Sequence, residues 1–372
     1  MELFFASIYN YIYLLIVAFV TLHYLSVFQG QTTLGNYNGQ SKSDSAIFLL
    51  FMLILFIGFR PLNEQYFQDM AAYSFIIRRH ANSVFEYSGD VDNKIFDNFI
   101  VWFGSNNYDQ RLFFIIMAVL YFGCMYLGLK RLFPQNIKLA FLTYLAGFST
   151  FSYAVNGMKA GVATSIFILA LSYKDKKIIC ALLMLVSLGF HHSMILPIIA
   201  CVLAYFFKNA KWYYFFWVLC LIMCVLHITY FQGIFAGYSD EQGALYLNAT
   251  SETSVAHIGF RPDFILYSAL PVLLGYKYEI KNTHKLSRTY QFLMHFYLLT
   301  NAVWMLCMYA AYNNRIAYLS WFVYPIIIIA PFLDKLNKDP QRYFQLSRVV
   351  KYHLFFTMFM VFVYYGLFSL GR

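Results

Sequence analysis

Charge is scarce in this sequence. Of its 372 residues, 12% are Asp, Glu, Lys or Arg, where a water-soluble domain carries about 25%. Cysteine is sparse too. The six cysteines lie scattered in apolar stretches, with no C-x-x-C and no framework spacing, so they read as small apolar side chains and not as disulfides or metal ligands. There is no P-loop, no dinucleotide fingerprint, no G-x-S-x-G and no H-E-x-x-H, which removes the common nucleotide, nucleophilic-serine and zinc chemistries and leaves no cofactor and no metal expected. The N-terminus has almost no positive segment and no clear small-residue cleavage site, so no cleavable signal peptide is expected.

Apolar residues fill the chain instead. They make up 61% of it, and the mean hydropathy is +0.58. Apolar runs of roughly 17 to 25 residues recur, the length needed to cross a hydrocarbon core of about 30 Å. They are too long and continuous for the alternating strands of a membrane β-barrel. The expectation is an all-α polytopic integral membrane protein with about twelve transmembrane helices in a single domain, 1–372. The runs are 4–25, 46–59, 112–129, 137–154, 157–173, 178–190, 193–207, 213–231, 264–276, 291–311, 316–333 and 354–370. Two long polar segments interrupt them. The first, 60–111, holds Y-F-Q-D-M-A-A-Y-S-F-I-I-R-R, a pattern that predicts amphipathic helix at an interface. The second, 232–262, is rich in Gly, Ser, Thr and acids.

The net charge of +10 does not point to nucleic acid, because the basic residues sit in short loops between apolar runs. If the runs alternate across a bilayer, the loops near 26–45, 130–138, 174–177, 208–211, 277–290 and 334–351 share one side and hold 18 of the 27 Lys and Arg. The positive-inside rule makes that side cytoplasmic. Both termini and both long segments then face outward.

On this layout the outward face gathers a distinct set of cations at run boundaries. They are Arg60, Lys159, Arg261 and Arg315, with Arg78 and Arg79 in the first long segment. A boundary cation can simply snorkel to the interface. As a group on the side that the bias depletes, these residues point to an anionic ligand at the outer leaflet, and a diphosphate fits best. Guanidinium forks hold phosphate oxygens bidentately, and cations in a partly dry site stabilise charge building on a leaving group. His191 and His192, where one run ends and the next begins, offer a base near neutral pH; one of the two, or neither, faces the site. Asp69 is a rival base or sugar-hydroxyl ligand. Asp263 either pairs with Arg261 or caps the following helix, and capping is favoured. Tyr73 and Trp102 are candidates for stacking on sugar rings. Asp90 and Asp92 form a D-x-D, but in the turn-like context S-G-D-V-D-N-K, which reads as a solvated turn.

Several short stretches occur in order: G-F-R at 58–60, D-M-A-A-Y at 69–73, N-G-M-K-A-G-V-A at 156–163, L-G-F-H-H-S at 188–193, G-F-R-P-D-F-I-L-Y at 259–267 and Y-N-N-R-I-A-Y at 312–318. In this set the chain resembles the EpsG-type branch of the Wzy polymerases, membrane enzymes that polymerise polysaccharide repeat units. Two departures stand out. The family usually has Arg-Gln where this chain has Lys159 and Ala160, which keeps the charge but loses the fork. It also usually has Gly before the acid, where this chain has Gln68 before Asp69. The resemblance implies a GT-C-like helical fold and a site facing the periplasm from the bacterial inner membrane. The implied substrate is an undecaprenyl-diphosphate-linked oligosaccharide, whose growing glycan passes to the non-reducing end of an incoming unit. The implied partners are that lipid-linked glycan, the bilayer and a protein that sets chain length. Arg60, Lys159, Arg261 and Arg315 would hold diphosphate, His192 or His191 would deprotonate the acceptor hydroxyl, and Asp69 would orient a sugar or a cation. A lipid-linked oligosaccharide flippase, an O-antigen ligase and a single-addition glycosyltransferase are the alternatives.

Overall fold

A computed structural model of the chain describes residues 2–33, 43–63, 65–237, 241–249, 258–281, 287–333 and 340–365. The described residues are helical and fall into two compact units, 1–192 with 335–372, and 193–334. In chain order the first unit holds α1 (Glu2–Thr33), α2 (Ser43–Gly58), α3 (Gln68–Arg79), α4 (Lys94–Ser105), α5 (Gln110–Leu132), α6 (Ile137–Leu145), α7 (Phe148–Val155), α8 (Met158–Ser172) and α9 (Lys177–Phe190). The second unit holds α10 (Ile195–Phe206), α11 (Ala210–Val225), α12 (Tyr230–Gly237), α13 (Glu241–Asn248), α14 (Pro262–Gly275), α15 (Arg288–Leu306), α16 (Asn313–Trp321) and α17 (Tyr324–Leu333). Then α18 (Pro340–Met358) returns to the first unit, where the Tyr343 hydroxyl donates to the carbonyl of Leu25 on α1.

The expected twelve crossings and GT-C-like architecture are overturned. Among the described residues four helices are long and apolar enough to cross a membrane: Ala6–Val27, Gln110–Leu132, Asn313–Leu333 and Arg342–Val363. A fifth is added only if Ala210–Val225 and Tyr230–Ala236, bent by 105°, count as one span. The shorter apolar helices Ser45–Gly58, Met158–Ser172, Lys177–Phe190 and His192–Phe206 fall short. At 1.5 Å per residue, 15 residues reach only about 22 Å. The reason lies in the breaks. The apolar run at 137–154 is cut at Ala146 and Gly147 into α6 and α7, of 9 and 8 residues. The run at 264–276 carries Pro271 inside the helix and passes into a π-helical stretch, Tyr276–Lys281. Apolar content alone does not register such breaks. The chain is a multi-pass, membrane-associated protein, but the alternation of sides read from twelve crossings does not carry over.

The core of the first unit is α5, packed between α2 and α8. Asp109 caps α5 by accepting from the amide of Arg111 at 2.6 Å, and Lys130 and Arg131 occupy its last turn, where cations suit the helix dipole. α5 and α8 approach closely because glycine allows it: a Cβ on Gly128 would lie 2.9 Å from Ile168 Cγ2. The two run parallel, since the Arg131 guanidinium at the end of α5 sits 3.7 Å over the ring of Tyr173 at the end of α8. α9 returns antiparallel, and near its far end the Ser187 hydroxyl donates to the carbonyl of Ala163 at 2.7 Å. In α3 the buried residues are Met70, Tyr73, Ser74 and Ile77, which share one helical face.

In the second unit the most apolar window of Asn313–Leu333 is almost wholly buried inside the protein. It is covered by α14 and α15, with Tyr267 stacked on Tyr324 at 4.2 Å and Trp321 donating to Ser268 Oγ at 2.8 Å. Asn301 joins this core by donating to Ser268 Oγ and Ser320 Oγ and accepting from the Trp217 indole. The six cysteines are free, buried or half-buried. Segments 238–240 and 250–257 of the second long loop lie outside the described residues.

α7 meets the start of α8 at Gly161, where an added Cβ would lie 2.5 Å from the carbonyl oxygen of Tyr153. Alanine gains about 1 kcal/mol of helix propensity over glycine, yet this clash is with backbone and cannot be relieved by a rotamer. Gly161→Ala is therefore expected to lower unfolding stability by about 1–3 kcal/mol. Thermal unfolding in detergent checks this; an unchanged or higher melting temperature contradicts it.

Candidate active site

The site grows from the start of α8. This helix has Gly157 at its N-cap and no side-chain cap of its own. A buried helix start leaves amide donors that must be satisfied from elsewhere. Asp69, on the first turn of α3, supplies the acceptor: its Oδ2 takes the Met158 amide at 3.2 Å and the Tyr73 hydroxyl at 3.3 Å. A carboxylate there also meets the positive end of the helix dipole. Asn156, just before the helix, donates to the carbonyl of Tyr66 at 2.9 Å. Its Oδ1 is buried with no hydrogen-bond partner among the described residues.

Arg60 closes the same region from behind. It has no exposed surface. Its Nη1 donates to the carbonyl of Ile57 at 2.7 Å and its Nη2 to the Met158 sulfur at 3.0 Å. The guanidinium lies 5.6 Å from the ring of Phe67 and 5.4 Å from that of Phe114, within cation–π range. Nε has no partner among the described residues. Burial lowers the Arg60 pKa to about 10, with Tyr9 and Asp69 opposing and Arg111 adding to the shift. The group therefore remains a cation at neutral pH. Arg111, half-buried at the start of α5, donates to the carbonyl of Arg60 at 2.6 Å.

Lys159 follows Met158 on the first turn of α8. It is half-buried, and its Nζ lies 6.0 Å from the ring of Phe96 on α4. Phe96 packs on Tyr73 at 5.0 Å, which leads back to Asp69. Among the described residues no carboxylate stands within ion-pair range of Lys159. The α8–α9 pairing brings His191 and His192 to this same end. His191 ends α9 in extended backbone, and the His192 amide donates to Asn93 Oδ1 at 2.9 Å. Asn93 immediately precedes α4, three residues before Phe96. Arg60, Asp69, Tyr73, Lys159 and the two histidines thus surround one helix start. Tyr73 is buried against Phe96 and Phe113 and offers no ring face to a ligand. Arg78 and Arg79 are exposed at the other end of α3, about 15 Å along the helix from Asp69. Asp90 and Asp92 are exposed in their turn.

Arg261, Asp263 and Arg315 belong to the second unit. Asp263 does not cap α14, as expected above; it pairs with Arg261, accepting from Nε at 3.0 Å and Nη2 at 2.5 Å. The bidentate fork is the stronger use of a carboxylate two residues from a guanidinium. Arg261 also lies 3.7 Å over the ring of Phe264. Phe264 meets Trp321 and Tyr267 meets Tyr324, equal steps in the same direction, so α14 runs parallel to α16–α17. Arg261 and Arg315 therefore sit at the same end of that pair. Arg315 is exposed and packs 5.0 Å over the ring of Tyr312, which begins α16 in left-handed backbone at φ 51°.

Sequence reasoning missed Arg111, Asn93 and Asn156. Arg111 carried the signal used for Arg60 and Arg315, a cation at the edge of an apolar run. Asn93 lay in the turn read only for its two acids. Among the described residues no three His, Cys, Asp or Glu side chains form a group able to hold a metal ion.

If Asp69 satisfies the start of α8, Asp69→Ala should cost about 1 kcal/mol of stability, while Asp69→Asn keeps an accepting oxygen and loses less. Hydrogen exchange at the Met158 amide should accelerate in Asp69→Ala. Unchanged exchange there contradicts the capping geometry.

The chain matches the family model described as EpsG family over residues 45–369. No curated protein and no solved structure matches it. The match covers most of the chain, including every residue of both sites just described, and the chain belongs to the EpsG family.

Proposed function

We propose that this protein is a polysaccharide polymerase that transfers a growing glycan from undecaprenyl diphosphate to the non-reducing end of a lipid-linked repeat unit. Membership of the EpsG family supports a polysaccharide-polymerase type of function and an enzymatic, glycosyltransferase-like role in general. The observation that carries the finer reading is Lys159: a half-buried cation with no carboxylate partner among the described residues, on the first turn of a helix, at the same end of the α8–α9 pair as two histidines. Such a group suits a diphosphate. Arg60 is enclosed, so its part is positional: it holds Met158 and adds positive potential behind Lys159. In the second unit Arg315 is the exposed cation suited to phosphate, and Arg261, held by Asp263, is the positioning one.

The acceptor hydroxyl oxygen attacks the anomeric carbon of the donor. The bond from that carbon to the diphosphate breaks, and its electron pair leaves on the diphosphate, whose charge Lys159 stabilises. His192 or His191 takes the hydroxyl proton. No side chain here is placed as a nucleophile, so the displacement is direct and the anomeric configuration inverts. The products are the elongated lipid-linked glycan and undecaprenyl diphosphate.

The site faces the periplasm from the bacterial inner membrane on this reading. α5 is 23 residues long, about 35 Å. Arg60, Arg111 and Lys159 gather at its start. Lys130, Arg131 and the 174–177 turn, with Lys174, Lys176 and Lys177, gather at its other end. The more basic end belongs inside.

Purified protein given defined lipid-linked repeat units should yield a product ladder. A single product would indicate a ligase or single-addition transferase, and no new bond would indicate transport. Lys159→Gln should lower the rate about a hundredfold, Lys159→Arg should retain most of it, and a chelator should leave it unchanged. Full activity in Lys159→Gln, or loss with chelator, overturns the assignment.

A further inference from the structure

A cavity of about 300 Å³ opens beside α4, at the lower end of the size range of small-ligand pockets. Phe99 and Trp102 from α4 and Phe85 and Tyr87 from the preceding loop line it. Phe99 and Trp102 stack at 6.0 Å and 23°, with Phe99 backed by Phe113 at 5.6 Å and Trp102 by Tyr108 at 5.6 Å. The aromatic ledge is therefore held from behind, while Trp102 and Tyr87 keep 39% and 66% of their surface exposed. Asn98, one turn before Trp102 on α4, also lines the cavity. It is 8% exposed, accepts from the Ser88 amide at 2.8 Å and donates to the Ser88 carbonyl at 2.9 Å. These two hydrogen bonds hold Ser88, the neighbour of Tyr87, against α4.

Lys94, which is exposed, is the charged side chain of the lining, and Glu86, Asp90 and Asp92 are exposed in the loop that leads into α4. An aromatic lining with an ammonium and an amide beside it suits a pyranose, which has apolar C–H faces and polar edges. A wall facing lipid would not carry four charges in nine residues. The cavity is also tied to the reaction centre. Lys94 lines it, and Asn93, the residue before, holds the His192 amide. Ile95 lines it too and packs against Gly189 at the end of α9.

We propose that this cavity is a glycan subsite, in which Trp102 and Tyr87 stack on sugar rings of the polymer one step away from the reacting end. The proposal rests on the polymerase reading for its substrate, but binding is measured separately from turnover. Protein labelled with 5-fluorotryptophan in lipid nanodiscs is titrated with oligosaccharides of one to six repeat units, released by mild acid from the polysaccharide of the source strain; Trp102→Phe assigns the Trp102 fluorine resonance. That resonance should shift saturably while those of the buried Trp304 and Trp321 stay fixed. Tyr87→Ala should weaken binding about tenfold and lower mean product length. A Trp102 resonance that does not move overturns the subsite even where a product ladder forms. If the resonance shifts but wild type forms no ladder, the subsite stands and the polymerase reading falls. A spin-labelled lipid provides the second arm. Trp212, 66% exposed on the apolar helix α11, should broaden and Trp102 should not. Equal broadening of the two makes the cavity a lipid contact and overturns the proposal.

Discussion

The first unit depends on a helix that begins inside the protein without a cap of its own. Gly157 offers no side chain, so the Met158 amide must find its acceptor at a distance, and Asp69 provides it across 89 residues of sequence. An unsatisfied buried amide would cost about 1–3 kcal/mol. This one requirement ties the first turn of α3 to the start of α8. It carries Tyr73 onto Phe96, sets α4 beside Lys159, and fixes Asn93 where it receives His192. The same geometry decides what Asp69 is: a carboxylate that accepts one amide and one phenol, oriented by the helix start it serves.

Arg60 shows how an isolated buried cation is tolerated. It has no salt bridge among the described residues; its partners are a carbonyl at the end of α2, a thioether and two aromatic rings. The negative end of α2's dipole and the ring faces each contribute modestly. Burial shifts its pKa toward 10, not far enough to discharge it, so stability should show no pH dependence from this group below the alkaline range. What remains is fixed positive charge behind a helix start that already carries Lys159. The same division between an enclosed and an exposed cation recurs in the second unit, where Asp263 occupies the fork of Arg261 while Arg315 stays exposed.

Some of this was legible in the sequence and some was not. Helical character, the amphipathic face of α3, and the turn that brings Lys159 and His192 to one end follow from periodicity and from where charges interrupt apolar runs. The ordered short motifs pointed to the EpsG family, and the family match bears that out. The number of crossings was not legible, because a run of apolar residues looks the same whether it spans a bilayer, breaks at Gly147 or passes into the π-helical stretch at Tyr276. Nor was the burial of Arg60, since a cation at the edge of an apolar run reads as a boundary residue until Phe67 and Phe114 are seen on either side of it. The pairing of Asp263 with Arg261, in place of capping, is a choice between two nearby donors that spacing alone leaves open.

The proposed reaction requires a diphosphate to meet the ammonium of Lys159 at the start of α8. Equilibrium binding of farnesyl diphosphate to the detergent-solubilised protein measures that contact without requiring turnover or a defined sugar. Lys159→Gln should weaken the dissociation constant about tenfold, a loss of about 1.4 kcal/mol, with the difference shrinking as salt is raised. Equal affinity of wild type and Lys159→Gln at low salt would contradict it.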